Sequence, residues 1–522
     1  MANLLSFSDE VLCRIFESIT KVKDLHNVML SCRRFFHVIK SYNKLWKFER
    51  KVKHVLQGLS AKCFLIGEPS LAELENLLNY SENWIPEEWV ESVLQNGIYN
   101  QNLNDNLTSR FYARKLLKYF RNYVIERKLK DMMALPEQDK SILVGAILIS
   151  QWVQTEQEHM ISLPAVELQL EGITKRVKQL LADKNTSSTF TTKEVLDCIN
   201  TVLYCEMGFK VMQSDYSFEY VFIDKVLESR IGFPVTLCII YREITKRMGI
   251  YCEPVLSPEI LYHRFYLRWK ETSSLADTDN QLIDPASGTL HYFHPSSYPV
   301  VSTEKFLQRI VEYMRRLRLQ SIRSERRGEG RDRTHFQRRR NELSFSRLAC
   351  AVSPDQTRSI LLYAQLCLDL DVQLDDAVRL LQQVKTLHDH RLMEKCVLKL
   401  SEKEALVSKE KVIHRRSPSV KYAVGLVMVY KGSARKSPLL CVINSWTHRD
   451  PDDTFYNVLF EDGDSSFVAE SNLKLYTNVS FIISHPNIGL YFQRFDGRRY
   501  IPNTEMMTLY PEDNAFAVSL IK

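Results

Sequence analysis

Apolar residues recur at helical spacing from the start of the chain. Ser8 precedes DEVLCRIFESI, and a serine ahead of two acids and an amphipathic run predicts a helix start, with the acids at the positive end of the helix dipole. Val11, Leu12, Ile15, Phe16 and Ile19 then share one face. A second short helix is expected after Asp24, with Leu25, Val28, Met29 and Cys32 in phase, and a third carries Phe35, Phe36, Val38 and Ile39. Three short helices cannot bury all of this apolar surface alone.

From 51 to 135 the period stays helical, broken at Gly67-Glu68-Pro69 and at Ile85-Pro86, where proline should open a helix with Glu87 and Glu88 in its first turn. This reads as a helical spacer. Two longer helices are expected between 136 and 185, and Glu194 to Phe209 forms another. Strand signals follow at EPVLSP and at HRFYLRW, which alternates ring and charge with period two. A helical block resumes at 353 to 411. Beyond Ser417-Pro418 come VGLVMVY, PLLCVINSW, FYNVLFED and SFVAESN, short strands separated by turn residues such as Asp462-Gly463, so 412 to 522 should be a small β domain.

At 522 residues the chain exceeds what one core usually serves, and several domains are expected. Its 45% apolar and 25% charged residues are ordinary globular usage. The N-terminus has acids where a signal peptide needs bases, and no stretch nears the roughly twenty apolar residues that span a bilayer, so a soluble protein is expected. Eleven cysteines are scattered singly, without CxxC pairs, which argues against a disulfide framework or a structural zinc site. A reducing cytoplasmic or nuclear home fits, and neither metal nor cofactor is expected.

The net charge of +7 is local. Residues 315 to 340 hold eleven arginines against three acids, a local +8 that leaves the rest of the chain at −1. With Gly328, Gly330 and several serines but no core period, this stretch reads as a solvated linker.

LLSFSDEVLCRIFESITKVKDLHNVMLSCRRFFHVIKSYNKLW resembles the F-box. It keeps the Val-Leu/Ile-Phe helix, the Cys-Arg-x-Phe segment and the closing Leu-Trp, and it departs at Ser8, where the family has proline, with Phe7 in the leucine position. The resemblance implies an F-box at 1 to 50 that docks a Skp-type helical adaptor, and through it a cullin and a RING protein. Phe7, Val11, Leu12, Ile15, Phe16, Leu25, Leu45 and Trp46 would be the adaptor-binding residues, with helix-in-groove burial carrying the affinity.

The region from EYVFIDKVLESRIGFPVTLCIIYREITKRMGI through HRFYLRW to LIDPASGTL is similar to the SirB-type branch of the transglutaminase-like superfamily. Chemistry in that superfamily needs a thiolate at a helix N-terminus, a histidine base on a strand and an Asp that orients the imidazole. His263 and Asp284 match the last two. Counting back from Gly249 places Pro234 at the cysteine position; proline opens a helix well but has no nucleophile. Cys238, one turn further along, is the alternative thiol, although a cysteine within LCIIY is more often an inert buried residue. A non-catalytic core over 136 to 411 is expected.

KYAVGLVMVY, WTHRD, FYNVLFEDG, FVAESNL and HPNIGLYF resemble the YccV or HspQ family, a small barrel-like β domain labelled as binding hemimethylated DNA and linked to proteolytic specificity. From Lys421 to Lys522 there are ten Lys and Arg against eleven Asp and Glu. Duplex binding needs cations to displace counterions, so DNA is disfavoured and a protein ligand fits better. Trp446, Tyr456, Phe467, Tyr491 and Phe492 are the candidate substrate contacts, most of them expected in the core.

The fold class expected is multidomain α+β: a helical F-box and spacer, a mixed α/β transglutaminase-like core with a helical extension, and a C-terminal β-barrel-like domain. That order resembles animal F-box only proteins. It implies a substrate-recognition subunit of an SCF-type (Skp-cullin-F-box) ubiquitin ligase that presents proteins for ubiquitination and proteasomal degradation. The rivals are a thiol enzyme using Cys238, His263 and Asp284, and a DNA binder using the Arg-rich stretch or the YccV-like domain.

Overall fold

The computed structural model describes residues 4, 7–19, 27–28, 31–42, 50, 52, 87–99, 106–158, 160–184, 190–212, 218–256, 265–269, 281–292, 299–325, 331–384, 387–408, 412–431, 439–450, 453–461, 463–476 and 485–521. Leu25, Leu45, Trp46 and His263 lie outside them. The chain divides into two compact units, Met1–Phe120 with Leu398–Lys522, and Arg121–Val397.

In the first unit, helix α1 (Asp9–Glu17) starts as expected: the Ser8 side chain accepts from the Val11 amide, and Asp9 and Glu10 occupy the first turn. Helix α2 (Arg33–Tyr42) packs on it through Phe35, whose ring meets Phe16 edge-on at 5.2 Å between centroids. Arg34 ties the pair together, bonding Asp9 Oδ1 at 2.7 Å and the Phe7 carbonyl at 2.8 Å. Helix α3 (Glu87–Tyr99) begins directly after Pro86, and α4 (Leu107–Ala134) follows.

The C-terminal part of this unit is a five-stranded antiparallel sheet ordered β10-β9-β8-β7-β11, built from β7 (Val427–Tyr430), β8 (Leu439–Asp450), β9 (Asp453–Phe460), β10 (Ser465–Ala469) and β11 (Leu473–Leu475). Strands β12 (Phe492–Phe495) and β13 (Tyr500–Pro502) form a separate hairpin. The barrel-like expectation is corrected here: β10 and β11 end the sheet at opposite edges and do not pair, so no closed barrel forms among the described residues. Its core holds Val427, Val442, Ile443, Val458, Leu459 and the buried rings of Tyr456, Phe492 and Tyr500. Gly425, at φ +91°, turns the chain so closely against the Tyr500 carbonyl that a Cβ there would collide with it. The first turn of α4 joins the same core, with Thr108 Oγ1 donating to the Phe492 carbonyl at 3.0 Å.

The second unit is mixed. It combines helices α5 (Ile142–Val153), α6 (Leu163–Lys184), α7 (Thr192–Asn200), α8 (Ile223–Ser229) and α9 (Pro234–Arg247) with a four-stranded antiparallel sheet in sequential order, β3 (Glu253–Leu256), β4 (Phe265–Trp269), β5 (Gln281–Asp284) and β6 (Thr289–Tyr292). A short parallel pair, β1 (Lys210–Val211) with β2 (Ile231–Gly232), stands apart. Helix α9 packs on both β4 and α6.

The described residues of the Arg-rich stretch are helical, which corrects the linker expectation for them. Residues up to Glu325 continue α10 (Thr303–Glu325), and those from Arg331 open α11 (Arg331–Val352); the two helices pack together. Phe306, Leu307, Ile310, Val311, Met314 and Leu317 form the buried face of α10. Arginine rides the other face, where Glu312 collects Arg315 and Arg316 at 2.9 and 2.8 Å. Composition alone hides this, because the apolar period runs out just as the arginines begin.

Helices α12 (Thr357–Leu370), α13 (Leu374–Leu381) and α14 (Leu387–Ser408) complete the helical extension. Buried Asp376 on α13 joins three helices: it pairs with Arg347 at 2.9 Å and Arg379 at 2.6 Å and accepts from the Tyr363 hydroxyl at 2.8 Å. Arg347 also reaches Glu126 on α4 at 2.7 Å. Short helices α15 (Ile488–Tyr491), α16 (Thr504–Leu509) and α17 (Asp513–Ile521) return to the first unit. No helix among the described residues is long and apolar enough to cross a membrane.

Candidate functional site

Helix α1 divides its apolar residues between two surroundings. Leu12 and Phe16, fully buried, are 0% and 2% exposed, whereas Val11 and Ile15 are 41% and 36% exposed; Phe7 is half-buried. In a helix with a single partner its four apolar residues Val11, Leu12, Ile15 and Phe16 would tend to go in together. Two branched side chains one turn apart are instead left facing outward, while Leu12 and Phe16 hold α1 onto α2. The described residues of the expected adaptor set therefore separate into a small open patch and an internal support.

In the second unit, Phe233 is extended and Pro234 opens α9, where its fixed φ and missing N–H are harmless. The helix is pinned by Thr236 Oγ1, which donates to the Val221 carbonyl at 2.7 Å. Cys238 lies a turn later, 1% exposed, and burial pushes its thiol upward, away from the thiolate a nucleophile needs. Burial likewise pushes the Cys252 thiol up to about 11.

Asp284 ends β5 and works locally as a turn former. Its Oδ1 accepts from the Ala286 amide at 2.9 Å and its carbonyl from the Gly288 amide at 2.8 Å. The turn is clamped by residues that sequence reasoning missed. Tyr204 donates to the Pro285 carbonyl at 2.5 Å, Asn200 Nδ2 to the Gly288 carbonyl at 2.9 Å, and Tyr241 to Asn200 Oδ1 at 3.0 Å. Burial pushes the Tyr204 phenol up, with Asp284 and Cys238 adding to it, so these three groups are electrostatic neighbours. Tyr204 stands in a single π-helical turn, Thr201–Glu206, which no residue spacing announces. The structure thus brings Cys238, Asp284 and Tyr204 into one neighbourhood, with Pro234 at the start of the same helix as Cys238.

Of the five candidate contact rings in the C-terminal domain, three are internal. Trp446, Tyr456 and Phe492 are buried, and Tyr491 is partly buried. Phe467, on edge strand β10, is 61% exposed. Trp446 is fixed by Asp513, which accepts from its Nε1 at 2.9 Å, and by the edge-on rings of His414 and Tyr510. Among the described residues, no three His, Cys, Asp or Glu side chains are grouped to hold a metal ion.

Residues 164–297 match the family model described as transglutaminase-like superfamily, and residues 441–499 match that described as hemimethylated DNA-binding protein YccV like. The chain is 27% identical to F-box only protein 21 of Pongo abelii, over 96% of this chain and 90% of that protein. It is 28% identical to F-box only protein 21 of Mus musculus and 27% identical to that of Homo sapiens, with the same coverage in each case. No solved structure matches. The chain is thus similar along nearly its whole length to F-box only protein 21, and it carries a transglutaminase-like region followed by a YccV-like one.

Proposed function

We propose that this protein is the substrate-recognition subunit of an SCF-type ubiquitin ligase, with helix α1 docking a Skp-type adaptor that links it to a cullin and a RING protein. The observation that carries this reading is the division of α1: Val11 and Ile15 stay open while Leu12 and Phe16 are taken up by the internal contact with Phe35. The relatives' name points the same way. A helical adaptor that buries Phe7, Val11 and Ile15 gains roughly 25 cal/mol for each Å² of apolar surface removed from water. The remaining domains hold substrate proteins, and no residue of this chain carries out ubiquitin transfer.

The transglutaminase-like core serves as a binding scaffold without catalysis. Pro234 offers no nucleophile, and Cys238 is buried with its thiol pushed away from ionisation. Near-neutral charge in the last hundred residues supports protein over duplex DNA as the ligand of the YccV-like domain. Affinity purification of the intact chain beside a Phe7→Ala, Val11→Ala, Ile15→Ala variant is the test. Loss of adaptor and cullin with retention of other partners supports the assignment, and undiminished adaptor recovery refutes it.

A further inference from the structure

Helices α12 and α14 line a groove of about 490 Å³ in the helical extension of the second unit. Helix α12 contributes Arg358, Leu361, Leu362 and Gln365, a spacing that puts all four on one face. Arg391, Leu392 and Lys395 come from α14. Leu362 is 50% exposed, although the residues around it on α12, Ile360, Tyr363 and Ala364, are buried. The floor is leucine and the rim is cationic.

Those cations differ from several other arginines of this unit. Arg315, Arg316, Arg339, Arg347 and Arg379 each pair with a carboxylate. Arg358, Arg391 and Lys395 have no such partner among the described residues and are exposed. Asp369, the acid one turn beyond Gln365, is engaged by Gln365 at 2.7 Å and by Arg339 at 3.2 Å. Glu394 is exposed on α14 but does not line the groove. The described residues therefore do not neutralise the positive rim from within.

We propose that this groove docks an acidic, leucine-bearing helical segment of a partner protein. Leucines one and two turns apart fit over Leu361, Leu362 and Leu392, and carboxylates flanking them meet Arg358, Arg391 and Lys395. Arginine suits this task because its weakly hydrated planar guanidinium accepts carboxylates in bidentate fashion. The α12 face from Arg358 to Gln365 covers about 10 Å of helix, the reach of two ligand turns. Nucleic acid fits poorly, since no aromatic side chain lines the groove for base stacking and three cations neutralise few phosphates. A membrane surface takes up protruding apolar residues, whereas these leucines line a concavity. The proposal does not depend on the ubiquitin-ligase assignment, because the groove is far in sequence from α1 and binding is read without an adaptor.

The test uses the intact chain and a fluorescein-labelled peptide of about sixteen residues, with leucines at i, i+3 and i+7 and glutamates between them. Fluorescence anisotropy should report saturable binding that weakens with added salt. Replacing the glutamates by glutamine, or the leucines by alanine, should weaken it about tenfold or more. Arg391→Glu with Lys395→Glu should do the same without changing the thermal melt, and a lysine-for-glutamate peptide should recover affinity for that charge-reversed chain. Equal binding of the glutamate peptide by the charge-reversed chain overturns the proposal, as does absence of binding at peptide concentrations on the order of 100 µM. Arg391-dependent binding of phosphatidylserine vesicles or duplex DNA, with the peptide ignored, also overturns it and assigns the groove to those ligands.

Discussion

The indole Nε1 of Trp446 donates to Asp513 Oδ2 at 2.9 Å, joining the long strand β8 to the first turn of the last helix, α17. The same carboxylate accepts from the Val424 amide at 2.7 Å and from Arg416 Nη1 at 2.7 Å, and the Arg416 guanidinium stacks on Phe516. Asp513 and Arg416 are both almost wholly buried. Replacing Asp513 by Asn should strand the arginine charge and destabilise the C-terminal domain by about 3 kcal/mol or more. Calorimetry should show its transition moving to lower temperature, with Trp446 fluorescence shifting to the red in the same step. An unchanged melt would contradict the placement of Asp513 as the domain's central acceptor.

Exposure on α1 separates binding from folding. Val11→Ala with Ile15→Ala should change stability by only about 0.5 kcal/mol, because both side chains face outward. Leu12→Ala or Phe16→Ala should cost about 2–5 kcal/mol through lost packing against α2. Adaptor recovery in a pull-down should fall for both pairs. Limited proteolysis distinguishes them, since only the second pair should expose the N-terminal helices to cleavage.

What can be read from the sequence is what repeats locally. The cap at Ser8, the helix after Pro86 and strands such as β9 each declare themselves within a few residues, through a side-chain acceptor, a fixed φ or a period of two. Pairings across the chain do not. Thr108 bonds the Phe492 carbonyl across 384 positions, and Gly489 lies so close to the Leu107 carbonyl that a Cβ would collide with it. No local pattern encodes such a contact. The candidate site shows the same limit: Pro234 and Asp284 are legible through their motif, while Tyr204 and Asn200, which hold the Asp284 turn, carry no motif at all. Trp446 and Tyr456 read as contacts because a ring on a half-buried strand can face either way; α17 and the Asp513 network cover the face on which Trp446 lies.

Cysteine accessibility tests the scaffold reading of the transglutaminase-like core. Cys205 is exposed, whereas Cys238 and Cys252 are buried with thiols that burial pushes up, to about 11 for Cys252. Iodoacetamide followed by peptide mapping should modify Cys205 within minutes at neutral pH and leave Cys238 and Cys252 untouched until the protein is denatured. Cys238→Ser should leave partner binding unchanged. Rapid and selective alkylation of Cys238 in the native chain would instead establish a reactive thiol beside Asp284.

The start of α7 supplies a pH-dependent element whose sign is fixed by geometry. The Thr191 amide and hydroxyl both donate to Glu194 Oε2, at 2.8 and 2.9 Å, while Thr191 Oγ1 accepts from the Glu194 amide at 3.3 Å. The backbone bond first, and the hydroxyl second, hold the Glu194 carboxyl below its usual range. A carboxylate depressed in the folded state adds stability above its unfolded value of about 4.3, and that contribution is lost as pH falls through the lower folded value. The difference in melting temperature between the parent chain and Glu194→Ala should therefore be constant from about pH 6 to 8 and shrink in acid below about pH 4. Glu194→Gln keeps an acceptor for the Thr191 amide but cannot titrate, so its melting temperature should retain much of the cap while losing this acid dependence. A Glu194→Ala difference that stays constant from neutral pH into acid would show that the carboxylate's charge contributes nothing to the cap.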